Sequence, residues 1–249
     1  MALENFNSNE INQKVKKNSF RKNKESLFED DFFIITDIKQ AVKNQNRANI
    51  FINGKYRFSL DIFQLAQLNI KVGSKFSKAE IENLEQQSEF GKLYALALNY
   101  CLMRPHSKKE ISDYLWKKTL KRKLKNRKTG EFYEKKGVSK ISVEQVLNRL
   151  IEKKYIDDEK FAKFWVENRN QRKGISIKKL KSELFSKGVS SDIIEQVLDE
   201  SNRNDEDEIR KIISKKAKRY TDEKKLIAYL ARQGFSFDEI KKAISKEQF

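Results

Sequence analysis

Apolar residues follow two rhythms along this chain. Between Phe32 and Phe76 they alternate with polar residues or form short runs; from Ser77 onward they return every three or four positions. Alternation places one face of a strand in a core, and a three-to-four spacing places one stripe of a helix there. "FFIITDIKQ" and "ANIFINGKYRFSL" therefore read as strands. Asn53-Gly54 lies between two alternating runs and predicts a hairpin turn, because both central residues of a type I′ turn need positive φ. "SLDIFQLAQLNI" reads as a short helix and "KVGSKFS" as a closing turn or strand, which completes a small β-rich module over 31–76. Ahead of it, 1–30 has no period and reads as a mobile, basic and polar tail.

From Ser77 on, the pattern is helical throughout. Ser77/Glu80, Ser107/Glu110, Ser142/Gln145 and Ser236/Glu239 have the spacing of a capping box, in which serine and acid or amide satisfy each other's backbone N–H groups. Pro105 stands where it ends the helix before Ser107. Three segments then recur. "SKKEISDYLWKK" from Ser107, "SIKKLKSELFSKG" from Ser176 and "TDEKKLIAYLARQG" from Thr221 are middle helices, and each is followed by a last helix, from Ser142, Ser190 and Ser236. Phe161, Phe164 and Trp165 share one helix face, as do Ile177, Leu180 and Leu184, and as do Ile209, Ile212, Ile213, Ala217 and Tyr220. Gly188 and Gly234 fall where a left-handed residue closes a helix. A basic stretch, 118–137, interrupts the first unit between its middle and last helices.

The expected fold is mainly α. Three tandem three-helix repeats over 77–156, 157–204 and 205–249 form an elongated curved rod behind the β-rich module (hairpin plus short helix). No repeat buries its apolar stripe alone, but the array closes its own core, so the chain is expected to be a monomer.

Charge changes the picture more than composition does. The net charge is +18, with charged residues at 36% and hydrophobic ones at 38%, which points to a polyanionic partner. No apolar run reaches the roughly 18 residues of a membrane helix, and "MALENFNSNEINQKVKK" lacks the apolar core of a signal peptide. The single cysteine, Cys101, sits in "LYALALNYCL" and reads as a buried thiol, so a cytoplasmic protein without disulfides is expected. Catalysis finds no support. The only histidine is His106, no cysteine or second histidine accompanies it as a metal ligand, and no phosphate-cradling or nucleophile-elbow motif is present. Asp157-Asp158 opens a helix and reads as a cap. No enzyme, no metal and no cofactor are expected.

The bases cluster. Lys117 to Lys136 holds ten Lys or Arg against two Glu, Arg169 to Lys187 seven bases against one acid, and Arg210 to Lys225 eight against two. In "DEDEIRKIISKKAKRY" the acids lead and the bases trail, as the helix dipole favours, so part of this charge is only a solvated face. Tyr114, Trp116, Phe132, Tyr133, Phe185 and Tyr220 are interleaved with the bases. Stacking on nucleobases is one role for such rings. Core packing is expected of those at helical spacing, whereas Phe132 and Tyr133 either make exposed contacts or sit in a local hairpin around Gly130. The residues alone thus describe a basic helical-repeat binding protein.

"ALALNYCLMRPHSKKEISDYLWKK", "VLNRLIEKKYIDDEKFAKFWVENRNQRKG" and "IKKLKSELFSKGV" together resemble the RecX family of recombinase regulators, in the order that family has them, across about 90–249. "IFINGKYRFSLDIFQLAQLNIKVG" is similar to the N-terminal extension of that family's longer members. The insertion at 118–137 and the tail at 1–30 depart from the pattern. The resemblance implies a regulator, mainly an inhibitor, of the RecA recombinase. It would bind RecA and its filament on single-stranded DNA and limit filament growth, ATP hydrolysis and strand exchange in recombination and DNA repair. The partners expected are then the RecA filament and single-stranded DNA, with non-specific double-stranded DNA as a further polyanion, and no membrane. Candidate RecA- or DNA-binding residues are Arg169, Arg172, Lys173, Lys178, Lys179 and Lys181 in the second repeat, and Arg210, Lys215, Lys218 and Arg219 in the third. Lys121, Arg122, Lys123, Lys125, Arg127 and Lys128 join them from the insertion. The alternative from another class is a general, non-specific nucleic-acid-binding protein with no recombinase partner. A membrane-surface protein is a third reading, and the lack of a helix pairing a basic face with bulky apolar residues counts against it.

Overall fold

The computed structural model describes residues 32–42, 44–127, 129–216, 219–220 and 222–246. The tail expected over 1–30 lies outside them. The chain divides into two compact units, one ending at Ser88 and one beginning at Glu89.

In the first unit β1 (Phe33–Gln40), β2 (Arg47–Ile52), β3 (Lys55–Asp61) and β4 (Lys75–Phe76) form an antiparallel sheet of order β3-β2-β1-β4. Asn53 and Gly54 take φ of 50° and 71° between the paired residues Ile52 and Lys55, the geometry a two-residue primed turn requires. A short helix, α1 (Ile62–Gln67), follows β3, with Asp61 as its cap. The core is Ile35, Ile50 and Leu60 from the sheet and Ile81 from the start of α2 (Lys78–Met103), all essentially without exposure. Ser77 and Glu80 close the expected capping box at the head of α2.

The second unit contains the rest of α2, then α3 (Lys108–Thr119), β5 (Arg122–Lys125), β6 (Phe132–Lys135) and α4 (Lys140–Glu152). Two further triplets follow: α5 (Asp158–Asn168), α6 (Ile177–Ser186) and α7 (Ser191–Asp199), then α8 (Asp205–Lys216), α9 (Glu223–Arg232) and α10 (Phe237–Lys246). Each triplet has its own apolar cluster. Leu93, Ile111, Leu115, Val146 and Leu150 fill the first, Phe161, Val166, Leu180, Leu184 and Val197 the second, and Ile209, Ile213, Leu226, Leu230 and Ile240 the third.

Three readings need correction. The pattern after Ser77 is not helical throughout: in the insertion, which carries no helical period, β5 and β6 pair antiparallel and Gly130 N donates to Asn126 O, the local hairpin weighed for Phe132 and Tyr133. The cap of α4 is Ser139, not Ser142; Ser142 lies inside the helix, buried, and its hydroxyl donates to Glu89 Oε1 at 2.6 Å. The cap of α9 is Asp222, and Thr221 lies outside the described residues.

The triplets are joined by one device used twice. Ser107 and Ser176, both without exposure, cap α3 and α6 by accepting from the Glu110 and Lys179 N–H groups at 3.1 and 3.2 Å. Each hydroxyl then donates onward to a carbonyl at the end of the next middle helix: Ser107 to Lys187 O and Ser176 to Gln233 O, both at 2.7 Å. The next triplet answers with a carboxylate. Asp158 accepts from the Lys108 N–H and Asp205 from the Ile177 N–H, again both at 2.7 Å. Helix starts lack partners for their N–H groups and helix ends lack them for their carbonyls, so joining start to end supplies both and brings the positive end of one helix dipole to the negative end of another. Gly188 and Gly234, at φ 81° and 97°, fit this contact. A Cβ there would fall 2.9 Å from Lys109 Cβ in the first joint and 2.7 Å from Ser176 Oγ in the second.

The first joint is reinforced by Glu110, which contacts Arg104 at 3.0 Å and Lys187 at 2.5 Å. Burial works to raise its pKa, but the bonds to Arg104 and Lys187 outweigh it and hold the carboxyl below its ordinary range. At the second joint Glu208, 1% exposed, accepts from the Ile175 N–H at 2.9 Å and from Lys211 at 2.8 Å.

Two outcomes test this joint by urea unfolding. Ser176→Ala takes the side-chain partner from two part-buried groups, the Gln233 carbonyl and the Lys179 N–H, and is expected to cost about 1–3 kcal/mol, whereas Ser190→Ala, at an exposed cap that makes no side-chain bond, is expected to cost under about 0.5 kcal/mol. Equal costs would contradict the joint. Glu110→Gln is expected to destabilise the chain at pH 7. Because the carboxyl titrates below its unfolded value, that penalty should be fully present above the unfolded pKa and shrink as pH falls through the folded one. A penalty independent of pH from 7 to 3 would show that the charge on Glu110 contributes nothing.

Candidate nucleic-acid interface

The middle triplet offers an open basic surface. Lys178 and Lys181 are exposed on α6, with Ser182 and Phe185 beside them at helical spacing, on the side away from the buried Leu180 and Leu184. Phe185 is 68% exposed. A cavity of about 260 Å³ lies against this stripe, lined by Lys181, Ser182, Phe185, Ser191, Ile194 and Glu195. Arg172 and Lys173 are exposed in the loop that leads into α6. Lys215, at the end of α8, donates its Nζ to Arg172 O, so a base of the third triplet joins those of the second. Arg219 is exposed a few residues further on, and Lys218 lies outside the described residues.

Other candidates hold the fold together. Arg169 makes a two-pronged pair with Glu183, Nε and Nη2 at 2.8 and 2.9 Å, while its guanidinium sits 5.3 Å from the Trp165 ring. Trp165 Nε1 donates to the same carboxylate at 3.1 Å. Burial pushes the Glu183 carboxyl up, but Arg169 pulls it below its usual value, and the bond to Glu183 raises Arg169 in return. The Arg169 charge is therefore matched from within. Lys179 donates to Gln233 Oε1 at 2.9 Å across the second joint. Arg210 is tied to Glu206 and Asp207 at 2.6 and 3.4 Å, the dipole-matched arrangement of a helix start.

In the insertion Lys121, Arg122, Lys123, Lys125 and Arg127 are exposed, while Lys128 lies outside the described residues. Lys121 approaches Glu134 only to 3.9 Å, with both side chains open to solvent. Lys123 and Lys125 stand 5.3 and 5.8 Å from the Phe132 ring.

The aromatic rings divide in a way that pattern alone missed. Tyr114 stacks on Tyr100 at 4.3 Å and Tyr220 on Tyr229 at 5.3 Å, as expected of core-packed rings. Trp116 and Phe185 do not pack inside; they are 56% and 68% exposed. Each directly follows a buried leucine, Leu115 or Leu184, and so is turned about a quarter of a circle away from the apolar stripe. Each also stands at the same distance from its capping serine, Ser107 or Ser176. That register was the signal that could have marked them. Phe132 and Tyr133 are likewise open, at 63% and 51%.

His106 has a structural place. Its Nδ1 lies 2.7 Å from Arg104 O and its ring 4.0 Å from that of Tyr100; burial, then the charge of Arg104, lowers its pKa. Cys101 is buried, and burial raises its thiol pKa. Among the described residues no cluster of His, Cys, Asp or Glu could hold a metal ion, and no helix is long and apolar enough to cross a membrane.

Comparison with known proteins agrees with this architecture. Residues 33–77 match the family described as Regulatory protein RecX N-terminal domain, 157–198 match RecX, second three-helix domain, and 204–244 match RecX, third three-helix domain. The curated Regulatory protein RecX of Bacillus subtilis (strain 168) is 30% identical over 222 residues, 86% of this chain and 77% of that protein. Its counterpart from Bacillus pumilus (strain SAFR-032) is 30% identical over 221 residues, 85% of this chain and 76% of that protein. A solved structure, "Crystal structure of regulatory protein RecX", shares the fold with a TM-score of 0.60 at 20% identity, over 86% of this chain and 99% of that one. By the matches to its N-terminal and three-helix domains, and by relatives aligned along most of its length, this chain belongs to the RecX family of regulatory proteins.

Proposed function

We propose that this chain regulates the RecA recombinase, binding RecA and its filament on single-stranded DNA and limiting filament growth, ATP hydrolysis and strand exchange. The observation that carries the reading is its membership of the RecX family, with 30% identity to a curated relative over 86% of the chain. The surface is compatible with it. Arg172, Lys173, Lys178 and Lys181 are exposed bases on one triplet, and Lys215 reaches them from the next. The bonds from Ser107 to Lys187 O and from Ser176 to Gln233 O tie each triplet to the next, which suits a partner that repeats. Weak contacts along successive triplets then add through effective concentration rather than through one tight pocket. A monomer acting in the cytoplasm, where the chromosome is, completes the proposal.

Substoichiometric titration into the cognate RecA's single-stranded-DNA-dependent ATP hydrolysis tests it. The rate should fall well before the protein matches RecA in number. No effect until the protein coats the DNA would indicate competition for the strand and favour a general nucleic-acid-binding protein. The triple variant Lys173→Glu/Lys178→Glu/Lys181→Glu spares Arg169 and the joints. It should weaken filament binding and flatten its salt dependence by about 2 in log–log slope if each lysine meets a phosphate of a single strand, at roughly 0.7 per contact. An unchanged slope would remove the ridge from the interface.

A further inference from the structure

The β5–β6 ribbon is a graft. The middle and last helices are joined by 187–190 in the second triplet and by 233–236 in the third, but by 120–139 in the first. Its two ends meet. Val138 N donates to Lys118 O at 3.0 Å, and a Cβ on Gly137 would fall 1.8 Å from Thr119 O. The first triplet is therefore closed beneath the ribbon, and the ribbon contributes nothing to that core, whose members come from α2, α3 and α4 together with Val138 and Ile156.

What the ribbon carries is unusual for a surface loop. From Lys121 to Lys136 stand eight Lys or Arg and two Glu. Residues opposite one another in a ladder share a face. One face thus holds Lys123, Lys125, Phe132 and Glu134, and the other Arg122, Leu124, Tyr133 and Lys135. Each face has one aromatic ring with bases beside it, and all of these but the half-buried Leu124 are exposed. A two-stranded ribbon without a core is marginal by itself, so rings left in water at 63% and 51% exposure do not pay for its folding. They are placed for something that brings flat faces and negative charge together.

We infer that this ribbon binds single-stranded nucleic acid directly, with phosphates on its lysines and arginines and unstacked bases on Phe132 and Tyr133. Stacking needs bases already free of a duplex, and every base has a face to offer, so the contact is indifferent to sequence. A lipid surface fits less well, because the rings lie on opposite faces and cannot enter one interface together. The inference deepens the regulatory reading by giving the ribbon the strand itself as partner. It is tested without RecA, so its failure leaves the ATP-hydrolysis result standing, and the reverse.

The experiment is fluorescence anisotropy of the full chain on a labelled oligothymidylate, on a duplex of equal length, and on anionic vesicles. Two variants accompany it: 120–136 replaced by Gly-Ser, and Phe132→Ala/Tyr133→Ala. Because the ends of the graft already touch, the excised variant should keep its helical circular dichroism and melting point. Both variants should lose affinity for the oligothymidylate by about tenfold or more. The ring variant should keep its salt slope, since its bases remain, while the excised one should lose slope. Unchanged single-strand affinity in the ring variant would overturn the inference. So would a loss seen only on duplex, or only on vesicles.

Discussion

The serine hydroxyl that ends one triplet's hydrogen-bond deficit with the next triplet's carbonyl is the interaction on which the second unit depends. A helix of ten or twelve residues is too short to stand alone, and α3, α6 and α9 are all of that size. Stacked start to end, Ser107 on Lys187 O and Ser176 on Gln233 O, they share their unsatisfied groups instead of exposing them. Asp158 and Asp205 do the same for the neighbouring N–H groups. Polar atoms thus make the joints, while the apolar clusters remain within triplets. Such a contact is directional, and it fixes how one triplet is turned on the next more firmly than an apolar patch would.

That constraint bears on function through register. Bases on the surface of one triplet become useful to a repeating partner only if the next triplet holds its own at a fixed offset. Lys215 bonding to the Arg172 carbonyl is the visible consequence. The same constraint explains why several bases are unavailable. Lys179 crosses the second joint and Lys187 the first, while Arg169 is held inside its own triplet by Glu183. A high count of lysines and arginines is therefore a poor measure of interface. Position relative to the joints and to carboxylates of the same triplet sorts the structural from the free.

Much of the fold was legible in the sequence. The hairpin turn at Asn53-Gly54, the capping boxes at Ser77 and Ser236, the closing glycines Gly188 and Gly234 and the triplet spacing all follow from local chemistry, and all are present. What was not legible depended on contacts distant in sequence. Ser142 has a capping spacing but is claimed by Glu89, some fifty positions away. Ser107 and Ser176 look like ordinary caps, and nothing near them announces a second bond to Lys187 or Gln233. In the sequence Glu183 is a lone acid among bases, and only the fold shows that it neutralises Arg169. Helical spacing alone places Trp116 and Phe185 in cores, but a single step around the helix from Leu115 and Leu184 turns them to solvent.

The central claim is that the free bases of the second triplet and the grafted ribbon meet a RecA filament, while the joints stay as they are. Hydrogen–deuterium exchange on this chain, alone and bound to RecA on single-stranded DNA, tests it most directly. The account predicts new protection in the loop holding Arg172 and Lys173 and in 121–136, with exchange at the joint amides of Lys108 and Ile177 slow in both states. Protection confined to 32–88, or joint amides that open on binding, would contradict it.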